Sequence, residues 1–343
     1  MIRVLVVDDS SFIRRALARM FAEEPDIVVV GEAAHGRDAL ELVHDLSPDV
    51  VTLDLEMPVA GGLDTLRRIM ADNPTPVVLV SAHAQTNAER TFEALAAGAV
   101  DFVDKSAVSM MDVHALRDEL VRKVRVAASS SPLPRPAVAA APKRAEETAA
   151  VMPPTAVIVG ASTGGPAAIQ TFVGGLREDF PLPVLVVQHM PGRFTRAFAE
   201  RLDSIGPLRV KEAEDGDRFA AGVFIAPGGF HVELRRAEAQ TMLALRPGER
   251  ADLHVPSIDV AAVSAVKAIG ATVCLVVLTG MGADGLAGAK AVNAAGGVVV
   301  AQDEASSVIY GMPRAVAEAN LADAVMPIER LAPWLSRVAR RRR

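Results

Sequence analysis

The chain has 343 residues, half of them hydrophobic and 23% charged, which excludes a wholly disordered protein and suggests two domains. The net charge of −6 divides into −8 up to Arg125 (13 basic against 21 acidic residues) and +2 beyond it (23 against 21). No basic domain suited to nucleic acid stands out. A single cysteine, Cys274, excludes an internal disulfide framework, and no apolar run reaches the ~20 residues of a membrane helix. With Asp8 and Asp9 too early for a signal peptide, a cytoplasmic protein without membrane insertion or nucleic-acid partner is expected.

In chain order, short β-branched runs at Arg3–Val7, Ile27–Glu32, Val50–Leu53, Val77–Ser81 and Asp101–Val103 read as strands. Between and after them, Phe12–Phe21, Asp38–Leu46, Leu63–Met70, Glu89–Ala97 and Val113–Val126 carry apolar residues at helical spacing. Near-continuous apolar strands alternating with amphipathic helices predict a parallel sheet covered on both faces, in flavodoxin-like (βα)5 order, over residues 1–126.

In such a sheet, polar groups at the carboxyl ends of strands share one crevice. Asp8 and Asp9 follow the first strand and Asp54 the third; Ser81 and Lys105 stand at the ends of the fourth and fifth. Three gathered carboxylates repel one another unless a cation lies among them, and a hard divalent ion such as Mg²⁺ suits oxygen ligands. Asp54 can then attack a phosphoryl group while Lys105 pairs with its oxygens and Ser81 donates a hydrogen bond.

Residues 127–154 hold Pro132, Pro134, Pro136, Pro142, Pro153 and Pro154 among alanines and serines, the composition of a semi-extended linker. Residues 155–343 form a second domain that begins β-α-β with Thr155–Val159, a helix after Gly165, Val184–Gln188 and a helix from Phe194. Val223–Ala226, His231–Arg236 and Thr241–Arg246 are short, alternating and separated by turn residues, so an antiparallel insertion is expected there. Helix Ile258–Ile269, strand Val273–Thr279, helix Leu286–Ala295, strand Val298–Ala301 and terminal helices complete a doubly wound, mainly parallel α/β domain.

Gly160-Ala161-Ser162-Thr163-Gly164 follows the first strand of this domain and precedes a helix. The spacing G-x-S-x-G places a serine exposed on a sharp strand-to-helix turn, with free helix N–H groups for an oxyanion. A glycine-rich dinucleotide loop would instead require an acid at the end of the next strand to bind ribose. That strand ends in His189, suited to a general base facing Ser162. A third strand leads into Thr279-Gly280-Met281-Gly282-Ala283-Asp284-Gly285, where Asp284 either caps the following helix or orients the histidine. Nucleophile, base and acid thus fall at three strand ends.

The segments VLVVDDS, DLEMP with Gly61-Gly62, Ser81 and DFVDK resemble a response-regulator receiver domain. The resemblance implies phosphorylation at Asp54, metal ligation by Asp8, Asp9 and Asp54, switch positions at Ser81 and Phe102, and a phosphate-reading Lys105. Receivers usually follow that lysine with proline, where this chain has Ser106. In the second domain, GASTGGP, QHMP, APGG, PSID, TGMGADG and AQDEASSVIYGMP resemble the chemotaxis protein-glutamate methylesterases of the CheB family.

That resemblance implies a Ser162–His189–Asp284 mechanism, with backbone N–H groups of Met281 and Thr163 holding the oxyanion. It also implies hydrolysis of glutamyl methyl esters, with deamidation of glutamine as a second activity. Partners would be methyl-accepting chemoreceptors and a histidine kinase phosphodonor of the CheA type. Mg²⁺ would serve the receiver, and no cofactor would serve the esterase. The family usually places Arg where Val255 precedes Pro-Ser-Ile-Asp, and the order of Pro191 and Gly192 after the histidine also departs from its pattern. An unphosphorylated receiver covering the crevice near Ser162 is a further expectation.

Overall fold

The computed structural model describes residues 1–58, 61–81, 85–105, 113–130 and 153–340. The chain divides into two compact units, Met1–Arg135 and Pro136–Arg343. Most of the proline-rich span, together with Ser106 and residues 341–343, lies outside the described residues.

In the first unit the elements run β1 (Ile2–Val7), α1 (Ser11–Ala22), β2 (Ile27–Ala33), α2 (Gly36–Leu46), β3 (Val50–Leu53) and α3 (Gly62–Asp72). They continue as β4 (Val77–Ser81), α4 (Gln85–Ala96), β5 (Asp101–Asp104) and α5 (Val113–Ala128). The five strands form one parallel sheet in the order β2-β1-β3-β4-β5. Every residue of β3, β4 and β5 is buried, as strands covered by helices on both faces require. Crossing from β1 to β3 reverses the direction of winding, so the ends of β1 and β3 border the crevice where ligands bind in such sheets. α5 continues to Ala128, two residues into the span read as linker.

The second unit begins with β6 (Ala156–Ala161), α6 (Gly165–Gly174), β7 (Pro183–Gln188), α7 (Gly192–Ile205), β8 (Val210–Glu212) and β9 (Gly222–Ile225). Next come β10 (Phe230–Ala237), β11 (Gln240–Pro247), α8 (Ile258–Ile269), β12 (Val273–Val277) and α9 (Leu286–Ala294). It ends with β13 (Val298–Gln302), α10 (Met312–Glu318), β14 (Ala324–Met326) and α11 (Ile328–Arg340). Seven strands form a parallel sheet in the order β14-β13-β12-β6-β7-β9-β8. Its winding reverses between β6 and β12.

One expectation is corrected here. Only β10 and β11 form the antiparallel hairpin; Val223–Ile225 belongs to β9, which pairs parallel with β7 and β8 inside the main sheet. The turn residues around Val223–Ala226 resemble those of the hairpin, but the strand itself is a buried apolar run, the pattern of a central parallel strand. Its outer neighbour β8 has only three residues, too few to carry a period.

Among the described residues, no helix is long and apolar enough to cross a membrane. Cys274 is fully buried in β12, and that burial pushes its thiol up to about 12, which leaves an inert apolar side chain.

Candidate active site

β6 and β7 run in register, Ala161 opposite Gln188, so the next residues, Ser162 and His189, leave the sheet side by side. The His189 amide donates to the Ala161 carbonyl at 3.1 Å and the Ser162 amide to the Thr279 carbonyl at 3.0 Å. The serine turn is thereby tied to the strand ends on either side. Gly280 leaves room for it: a Cβ there would lie 2.7 Å from Ser162 Cβ and 2.4 Å from Met312 Sδ. Gly164, at φ +74°, turns the chain into α6 in the left-handed region that glycine adopts freely.

The structure joins His189 and Asp284 directly, with Nε2 2.8 Å from Oδ2. Asp284 also accepts from the amides of Ile258 (2.8 Å), Asp259 (3.0 Å) and Gly285 (3.1 Å) and from Ser257 Oγ (3.1 Å). Burial disfavours its charged form, yet the His189 hydrogen bond and the Ile258 and Asp259 amides outweigh burial and hold the carboxyl well below its usual range. An ionised carboxylate only accepts, so Nε2 carries the ring proton and Nδ1 is the basic nitrogen. The cap of α9 is Gly285, not Asp284; the acid lies instead at the start of α8. Among the described residues, Ser162 Oγ forms no hydrogen bond with His189, whose ring is held by Asp284 alone on its Nε2 side.

Thr163 is buried, and its carbonyl accepts from Thr279 Oγ1 at 3.0 Å. Among the described residues, the backbone N–H groups of Thr163 and Met281 have no partner, so both can serve an oxyanion. Met281 is 44% exposed, at the mouth of the site.

Four neighbours, Gln188, His254, Ser257 and Asp259, were given no catalytic role by the sequence. Gln188 Nε2 donates to the carbonyls of both Ser162 (2.9 Å) and His189 (3.1 Å), bridging the two turns. The His254 ring stacks on His189 with centroids 4.3 Å apart and planes 10° from parallel. Ser257 and Asp259 complete the surroundings of Asp284. Of these, the Ser-Ile-Asp segment had a local signal, the cap of α8 in which Ser257 Oγ accepts from the Val260 amide at 3.4 Å.

In the first unit, Lys105 Nζ lies 2.5 Å from Asp54 Oδ2 and 3.1 Å from Asp8 Oδ2. One oxygen each from Asp8, Asp9 and Asp54 falls within a mutual 4.8 Å, a donor set of hard oxygens that fits a small divalent cation. Asp8 and Asp54 are fully buried and Asp9 is exposed. Burial, the largest influence, lifts the Asp54 carboxyl above its usual range although Lys105 pulls it down. Ser81 is buried under Thr91, whose Oγ1 lies 3.4 Å from its own. Phe102 is also buried, with Lys123 Nζ 5.1 Å from its ring centroid and 2.5 Å from its carbonyl.

Residues 157–335 match the family model described as CheB methylesterase, and residues 4–116 match the response regulator receiver domain. A protein-glutamate methylesterase/protein-glutamine glutaminase of Myxococcus xanthus is 47% identical across 100% of this chain and 98% of its own. A protein of the same name from Symbiobacterium thermophilum is 44% identical, covering 98% of this chain and 96% of its own. Among solved structures, the CheB methylesterase catalytic domain of Thermotoga maritima is 39% identical, with a TM-score of 0.53. That match covers 54% of this chain and 98% of that domain.

Proposed function

We propose, from the premise that the chain belongs to the CheB methylesterase family and carries a receiver domain, that it hydrolyses γ-glutamyl methyl esters of methyl-accepting chemoreceptors in chemotaxis adaptation. The catalytic domain is residues 155–343, joined through the proline-rich linker that follows α5 to the receiver domain. The observation that best supports the chemistry is the 2.8 Å contact of His189 with Asp284, at the point where the sheet reverses and beside the Ser162 turn.

His189 Nδ1 takes the proton of Ser162 as Oγ attacks the ester carbonyl. The N–H groups of Thr163 and Met281 stabilise the negative oxygen, and Asp284 stabilises the imidazolium. The imidazolium returns its proton to the departing methoxide, releasing methanol. Water, deprotonated by His189, then cleaves the acyl-enzyme and leaves a glutamate carboxylate. On a glutamine side chain the same steps release ammonia, the second activity in the names of the relatives.

In the receiver, Asp8, Asp9 and Asp54 would hold Mg²⁺, which neutralises phosphate charge when bound. Asp54 accepts the phosphoryl group from a histidine kinase of the CheA type, Lys105 pairs with its oxygens, and Ser81 and Phe102 respond to it. A fluorophosphonate probe tests the nucleophile: labelling at Ser162 in the wild type, lost in Ser162→Ala, is expected. Labelling elsewhere, or unchanged in the variant, contradicts the assignment.

A further inference from the structure

Two helices that start at the active site each carry a carboxylate that accepts amides from the start of the other. α9 begins at Gly285, which has no side chain to accept its first N–H groups. Asp259, in the first turn of α8, supplies that acceptor: its Oδ1 takes the amides of Gly285 at 2.9 Å and Gly288 at 2.6 Å. Asp284, just before α9, in turn accepts the first amides of α8, those of Ile258 and Asp259. Each carboxylate therefore sits on the positive end of the other's helix. The Gly285 amide belongs to the peptide unit that leaves Asp284, so the oxygen of Asp259 fixes the plane from which the Asp284 side chain springs.

Resting on the esterase reading, we infer that Asp259 is a positioning residue that aims the Asp284 carboxylate at His189 Nε2. What it supplies is an acceptor oxygen at one place. Two adjacent carboxyls would repel if both were fully charged, and their environments separate them. Burial chiefly, with the charge of Asp284, lifts Asp259 above the usual range against the pull of the Gly288 and Gly285 amides, while Asp284 is drawn down. The titratable groups facing this pair are His189 and, stacked on it, His254. Asp259 acts through backbone geometry, so an amide oxygen in the same place should serve nearly as well as a carboxylate.

The test compares Asp259→Asn, Asp259→Glu and Asp259→Ala in the full chain. Asn keeps the oxygen without the charge; Glu keeps the charge but moves the oxygen by one methylene. kcat is expected within about threefold of wild type for Asn and down at least about tenfold for Glu and Ala, with KM little changed, since small misplacements of a catalytic group are costly. A hydrogen-bonded His189 Nε2–H gives a downfield proton NMR resonance, which should persist in Asn and shift or vanish in Glu. This resonance reports the His189–Asp284 geometry whether or not Ser162 is the nucleophile, while fluorophosphonate labelling of the wild type judges the esterase reading separately. Should Ala fail to fold, the Asn–Glu ordering still decides. Glu equal to or better than Asn, or an unmoved resonance in Glu, overturns the inference.

Discussion

Asp284 concentrates more of the site's physics than any other side chain. It is only 8% exposed, yet two helix-start amides, its neighbour's amide, a hydroxyl and an imidazole all donate to it. An amide in its place would present an NH₂ toward donors and favour the wrong tautomer of His189. Asp284→Asn is therefore expected to cut kcat on the order of 10⁴-fold while leaving the sheet intact, measured by steady-state ester hydrolysis. The same carboxyl ties stability to pH. Its folded value is depressed, so its contribution is fully present above the ordinary carboxylate value and is lost as pH falls below about 4 toward the folded value. Thermal midpoints of wild type and Asp284→Asn should accordingly converge as pH drops from 5 toward 2; a gap that widens would contradict the sign. At this scale the residues at strand ends were legible, because polar types after apolar runs are conspicuous. The contacts of Gln188, His254 and Asp259 were not, since each joins segments whose proximity depends on strand order.

Among the elements, α8 and α9 pack so closely that a Cβ on Gly288 would lie 2.6 Å from Ala262 Cβ. Gly288→Ala must push the helices apart, weakening the Asp259 cap as well as the packing. A loss of about 1–3 kcal/mol by denaturant unfolding is expected; an unchanged midpoint would mean that the helices can slide at no cost. The elements of the receiver were readable because β1 to β4 are largely apolar, β-branched runs and the helices between them are amphipathic. β9 was misplaced although it is an apolar run: the turn residues around it resemble those of the hairpin, and its parallel partners lie at Val184–Val186 and at the three-residue β8. β14 is equally short, and neither it nor β8 left a periodic trace.

For the molecule as a whole, composition and the proline-rich span indicated two α/β parts, and the chain does divide into two compact units. Each unit sets its polar groups at the point where its own sheet reverses: Asp8, Asp54 and Lys105 in one, Ser162, His189 and Asp284 in the other. Under the proposed function the first site controls the second, through a phosphoryl group on Asp54 that would add charge where Asp54 and Lys105 already pair. The most direct test is methanol release from methylated chemoreceptor membranes, with and without a small phosphodonor plus Mg²⁺. Wild type should release methanol, faster with the phosphodonor, and Ser162→Ala should release none under either condition. Release by Ser162→Ala at the wild-type rate would contradict the account.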